Sequence, residues 1–116
     1  MAKLTLRIEL GAAGAVGPGK IRLLEHVRET GSISAAGRAM DMSYRRAWLL
    51  IDALNRAFRQ PVVTTQLGGK QGGGAALTEF GAELVAQYRE MEQAAHRTLR
   101  PQLAALDKAV AAPRRR

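Results

Sequence analysis

A mainly α-helical domain with a small β-sheet is the fold class this sequence predicts, and three observations predict it. Two helical patterns meet at a very short turn within residues 31–55. Two short strand patterns then flank a Gly-rich tip between residues 62 and 78. A long amphipathic pattern follows from Thr78. The order strand, three helices, β-hairpin, long helix is that of a winged helix-turn-helix.

The elements follow in order. Leu4, Leu6, Ile8 and Leu10 alternate with Thr5, Arg7 and Glu9. Period-two alternation marks a half-buried strand, here with the leucines and Ile8 inward. This first strand is free to join the later hairpin as one small sheet. Residues 11–19 are rich in Gly and Ala and contain Pro18, which suits a first helical turn because its missing N–H would be unpaired there. Helix one therefore begins near Pro18. Ile21, Leu24 and Val27 continue it at helical spacing, with Leu23 beside them, and Thr30-Gly31 supplies a left-handed stop.

Ser32 is placed to cap helix two, whose apolar face is Ile33, Ala36 and Met40. The small residues Ala35, Ala36 and Gly37 allow another helix close. Asp41 occupies the turn, Met42 plugs the core and Ser43 caps helix three. Along helix three, Ala47, Ile51, Leu54 and Phe58 are spaced to pack inward, and Trp48 extends that stripe. Arg45, Arg46, Asp52, Arg56 and Arg59 are left mainly outside, and Pro61 closes the helix. The hairpin, or wing, pairs residues 62–67 with residues 75–78. Thr78 caps the final long helix, with Glu79 and Glu83 near its positive end. Phe80, Leu84, Tyr88, Met91 and Ala95 lie along one side of it. If it runs to Arg100 it spans about 35 Å, long for so small a domain, so dimerisation through that side is predicted. Pro101 interrupts it, and Leu103, Leu106 and Val110 mark a further short helical piece. The organisation predicted is a DNA-binding domain over residues 1–100, including a dimerisation helix over 78–100, then a short helical extension and basic tail over 101–116.

Charge points to the partner. Eighteen Lys and Arg stand against ten Asp and Glu, for a net charge of +8. Arg114, Arg115 and Arg116 supply three of those charges, so the body is basic without them. Such a balance favours an anionic polymer or surface. There is no Cys, hence no disulfide framework or thiolate metal site. His26 and His96 are isolated and are read as ordinary helix-surface residues, and no metal site is expected. No apolar run approaches the roughly 18 residues that span a bilayer. Lys3, Arg7 and Glu9 argue against a secretion signal. A cytoplasmic protein with no membrane association is expected.

A major groove admits one α-helix, whose N-terminal residues meet base edges. Arg45 and Arg46 are the best candidates for base contact, because a guanidinium can bond bidentately to guanine. Tyr44 suits a thymine methyl or a phosphate. Ser32, Ser34, Arg38 and Ser43 are placed for phosphate, and Gly69, Lys70, Gln71 and Gly72 at the wing tip for the adjacent backbone.

These residues carry a family resemblance. Residues 19–88 resemble the N-terminal domain of the ModE family of molybdate-responsive transcriptional regulators, a relative of the LysR-type DNA-binding domain. The motifs are Gly31-Ser32-Ile33-Ser34, then Ser43-Tyr44-Arg45-Arg46-Ala47-Trp48, then the Gly-rich segment 68–74 followed by Leu77-Thr78 and Gly81. The first is widespread among LysR-like readers; the second and third together are quite specific. The resemblance implies a homodimer, paired through the last helix and the N-terminal strand region, that binds a palindromic operator in double-stranded DNA. It also implies a link to molybdenum metabolism. Family members that sense molybdate carry further C-terminal oxyanion-binding domains, and this chain ends before one would fit. No cofactor is therefore expected, and an effector would act elsewhere or through a separate subunit.

Competing readings exist for each feature. The arginine pair could be a solvated helix face, but it opens a helix after a short turn in a basic chain. Trp48 could stack on bases, yet its spacing with Ile51 favours core packing. Residues 14–20, GAVGPGK, fit the first seven positions of a phosphate-binding loop. Ile21 then stands where a magnesium-binding Ser or Thr is needed, and too few strands are present for a parallel sheet. No catalytic triad suggests itself, and a non-enzyme is expected. The rivals sharing this fold are an architectural DNA-binding protein and a helix-turn-helix module that binds another protein.

Overall fold

Side-chain caps and two left-handed residues set the helix boundaries. The computed structural model describes residues 1–66 and 74–112. In chain order they form β1 (Ile8–Glu9), a 3-10 turn (Gly11–Ala13), β2 (Ala15–Val16), α1 (Pro18–Thr30), α2 (Ile33–Ala39), α3 (Tyr44–Ala57), β3 (Val63–Gln66), β4 (Gly74–Leu77), α4 (Glu79–Thr98) and α5 (Arg100–Ala109). This is the winged helix-turn-helix order. The Ser32 hydroxyl accepts from the Ala35 N–H at 3.1 Å, Ser43 from Arg46 at 3.1 Å, and Thr78 from Gly81 at 2.8 Å. Each such cap satisfies an orphan donor and stabilises its helix by about 1 kcal/mol. α1 stops at Gly31, whose φ of 70° lies in the left-handed region, and whose N–H returns to the Val27 carbonyl at 2.8 Å. Asp41, with φ of 55°, makes the tight turn between α2 and α3, a conformation that its short polar side chain tolerates.

One apolar core joins the helices. Ile21, Leu23, Leu24 and Val27 of α1 are fully buried against Ile33 and Ala36 of α2, Ala47, Ile51 and Leu54 of α3, and Val85 and Tyr88 of α4. Gly37 is needed where α2 meets α3: a Cβ there would lie 3.1 Å from the Ala47 Cβ and 3.3 Å from the Met42 carbonyl. Met42 is half-buried and packs on this core, as does Phe58, whose ring centroid is 5.2 Å from that of Phe80.

The wing strands pair antiparallel, Val63 opposite Leu77 through Gln66 opposite Gly74. Three contacts dock them. Asn55 Oδ1 accepts from the Val62 and Val63 N–H groups at 2.7 and 3.2 Å, while its amide donates to the Val63 carbonyl at 3.2 Å. The Ala75 N–H donates to the Gly31 carbonyl at 2.9 Å. Gly81 lies so close to Val62 that an added methyl would overlap the Val62 carbonyl.

The structure departs from the sequence reading at four places. β1 does not join the wing but pairs with β2, Ile8 opposite Val16, so the described residues form two separate two-stranded sheets. Gly11 and Gly14, with φ of 65° and 115°, reverse the chain at once, and the Leu10 N–H reaches the Gly14 carbonyl at 2.7 Å. Closing so short a loop costs little entropy, and a pairing across the chain costs more. Only residues 8 and 9 of the expected 4–10 strand are paired, although burial alternates along residues 1–10 as expected.

The second departure is Trp48, which is 43% exposed rather than packed in the core. Ala47, Ile51 and Leu54 already fill the space facing α1 and α2, and one residue beyond Ala47 turns the ring about 100° away. The third is the side of α4 read as a dimer face. Tyr88 is fully buried within its own chain, its hydroxyl donating to the Leu6 carbonyl at 2.8 Å, and Phe80 and Leu84 pack on the same core. Of that stripe only Met91, 42% exposed, and half-buried Ala95 stay open. The last is length: α4 stops at Thr98, about 30 Å from its start, and α5 begins at Arg100 with no buried residue.

Candidate nucleic-acid interface

The turn between α2 and α3 leaves the first turn of α3 in solvent. Tyr44, Arg45 and Arg46 are all exposed. At 100° per residue they point three ways around the helix. Tyr44 and Trp48, four residues apart, share the flank facing α2 and the wing. Together with Ser32, Ile33, Ser34, Thr65, Gln66, Gly74 and Ala75 they line an open recess of about 370 Å³. Arg45 and the exposed Leu49 lie on the outer face. Arg46 lies on the opposite flank, where it borders a second cleft with Arg7, Lys20 and Met42. The two arginines paired in the sequence reading are thus adjacent in chain but aimed apart.

Ser32 and Ser43 sit at this surface with their hydroxyls engaged as caps. Ser34 is half-buried and accepts from the exposed Arg38 guanidinium at 2.9 Å. That contact holds Arg38 across the start of α2. Gly69, Lys70, Gln71 and Gly72 lie outside the described residues.

The scaffold beneath is tied by charge. Arg89 on α4 donates from Nε and Nη2 to both Glu25 oxygens on α1, at 3.0 and 2.7 Å, and from Nη1 to Glu92 at 2.6 Å. Hydrogen bonding to Arg89 holds the Glu25 carboxyl below its ordinary 4.5, and the two carboxylates raise the guanidinium's own pKa. Burial pushes the Tyr88 hydroxyl up, keeping it a donor to Leu6. Sequence reasoning missed this clamp and Asn55, because neither sits in a motif and their partners are 64 and 8 residues away. The polar Asn55 amid the apolar spacing of α3 was the one available signal.

Among the described residues no group of three or more His, Asp or Glu side chains could hold a metal ion. No helix among them is long and apolar enough to cross a membrane. The GAVGPGK segment supplies β2 and the entry to α1, with Lys20 Nζ donating to the Ala15 carbonyl at 2.8 Å. In a phosphate-binding loop that lysine would point at ligand.

Residues 19–82 match the model of the bacterial regulatory helix-turn-helix proteins of the LysR family. The chain belongs to that family. The match spans α1 to the first turn of α4, so it includes every element that forms the recess. The chain is also 39% identical over 92 residues to the molybdenum transport protein ModE of Azotobacter vinelandii, covering 79% of this chain and 33% of that one. It is 38% identical over 108 residues to the molybdenum-pterin-binding protein MopA of Rhodobacter capsulatus, covering 93% and 39%. It is 35% identical over 92 residues to the DNA-binding transcriptional dual regulator ModE of Escherichia coli K12, covering 79% and 35%. These relatives bear out the ModE resemblance. The chain spans about a third of the length of the relatives that it matches.

Proposed function

We propose that this family member is a sequence-specific, DNA-binding transcriptional regulator of the ModE type, working in the cytoplasm as a homodimer on a palindromic operator. The observation that carries this reading is the open first turn of α3, with Tyr44, Arg45 and Arg46 unburied beside a docked wing. An α-helix presented end-on in this way fits a major groove. Arg45 and Arg46 then reach base edges on two sides of the helix, and Ser34, Arg38 and the wing around Lys70 contact phosphates. The net charge of +8 favours the encounter.

Dimerisation is assigned to Met91, Ala95 and the α5 region, where Leu99, Leu106 and Val110 are exposed. The link to molybdenum rests on the relatives named above, and titration of the chain with molybdate tests whether it binds the anion itself. The main test is selection of duplexes from a random library, followed by the double change Arg45→Ala and Arg46→Ala. Preference for the selected duplex should vanish while salt-sensitive background binding remains. Preference surviving the double change would mean that α3 is not the reading helix.

A further inference from the structure

We propose that Tyr44 and Trp48 form an apolar pair that reads the methyl group of a thymine, with Trp48 the specificity-determining residue. The inference rests on the DNA-binding reading above and adds a base preference to it. Tyr44 and Trp48 are four residues apart, so their side chains leave the same flank of α3 and line one recess. They are 57% and 43% exposed, and Trp48 lies one turn further along the helix. The remaining walls of their recess mix Ser32, Ser34, Thr65 and Gln66 with Ile33, Gly74 and Ala75, a lining that suits a methyl group carried beside polar and anionic groups.

Charge selects the occupant. Arg45 stands exposed on the neighbouring outer face of α3, in a chain of net charge +8, which disfavours a basic partner and favours an anionic one. Within a major groove, each base edge offers hydrogen-bonding atoms except at one apolar point, the C5 methyl of thymine. Two aromatic side chains on one flank of the entering end of a helix, with Arg45 on its outer face, match that chemistry, the cation taking guanine or phosphate acceptors and the rings the methyl. Trp48 is the residue that makes the contact diagnostic: as the chain's one tryptophan, its emission reports on this recess alone.

The experiment uses the full chain and duplexes selected from a random library. Each thymine in a selected duplex is replaced in turn by deoxyuridine, which removes only the methyl group and leaves the protein untouched. At one thymine per bound protomer, the replacement should weaken binding about fourfold, the equivalent of burying one methyl group. Trp48 emission should change on binding the thymine duplex and change less with deoxyuridine at that position. Trp48→Ala should weaken binding to the thymine duplex and abolish the difference between the two bases, with helical circular dichroism unchanged. Selected duplexes without a fixed thymine, indifference of the unmodified protein to every deoxyuridine, or a methyl effect undiminished in Trp48→Ala would each overturn the assignment. In those cases duplex selection still succeeds and the DNA-binding reading stands. No selective binding to any duplex would instead remove the reading on which the proposal rests.

Discussion

The α1–α3 head with its wing and the α4–α5 tail are built from similar proportions of apolar residues, yet they treat them differently. In the head, Ile21, Leu23, Leu24, Ala36, Leu54 and Val62 are buried to 1% exposure or less. In the tail, burial ends at Tyr88, and Met91, Leu99, Leu106 and Val110 are at least 36% exposed. The head encloses its own core because three short helices can surround one another. The first half of α4 packs on the head, but beyond Tyr88 the contacts of α4 and α5 among the described residues are few, including the Arg89–Glu92 pair and the contact of the Ala2 N–H with Asp107. The difference teaches that the head owes its geometry to its own chain, whereas the tail leaves apolar side chains open to solvent, the face proposed above for a second copy.

Substitutions can break this contrast, in descending size. Gly81→Ala forces a methyl into the Val62 carbonyl and should cost about 3 kcal/mol, at the upper end for overpacking. Urea denaturation followed by circular dichroism measures it, and a loss below 1 kcal/mol would mean that α4 and the wing yield to each other easily. Asn55→Ala strands the Val62 and Val63 N–H groups and should cost about 2 kcal/mol. Hydrogen exchange should locate the loss in the wing, and protection unaltered in β3 would refute Asn55 as its anchor.

Glu25→Gln tests the seam between head and tail, and should cost about 1 kcal/mol at neutral pH because the pair is partly solvated. A carboxyl whose pKa is lower in the folded than in the unfolded chain stabilises the fold above its unfolded value. That gain is lost as pH falls through the ordinary 4.5 towards the lowered folded-state value. The difference in urea midpoint between wild type and Glu25→Gln should therefore shrink on acidification from pH 7 to about pH 3, and a constant difference would argue against the ion pair. The smallest effect belongs to the tail: Leu106→Ser should change monomer stability by less than about 0.5 kcal/mol, because Leu106 is exposed. Sedimentation at micromolar concentration should instead reveal weakened self-association; an unchanged distribution would move the interface elsewhere.

Much of the head was legible from local chemistry. Ser32, Ser43 and Thr78 were readable as caps because each bonds a backbone N–H three residues on, and Pro18 and Gly31 mark the ends of α1 for similarly local reasons. The exposed first turn of α3 was legible because charge at a capped helix start seldom packs inward. Other features depended on distant partners. Asn55 reads as an ordinary polar helix residue until β3 lies against it, and the stripe through Phe80, Leu84 and Tyr88 is amphipathic whichever chain covers it.

By itself, then, the amino-acid sequence determined the order of the helices and most of their limits, the wing strands, the basic character and the placement of Tyr44, Arg45 and Arg46 at the exposed start of α3. These follow from interactions spanning a few residues, together with net charge. Only the tertiary structure decided that β1 pairs with β2, that Tyr88 closes the core of its own chain and that Trp48 stands at the rim of a recess. Periodicity measures how wide an apolar stripe is, but the neighbours that dock on it decide which part of that stripe is shielded from water.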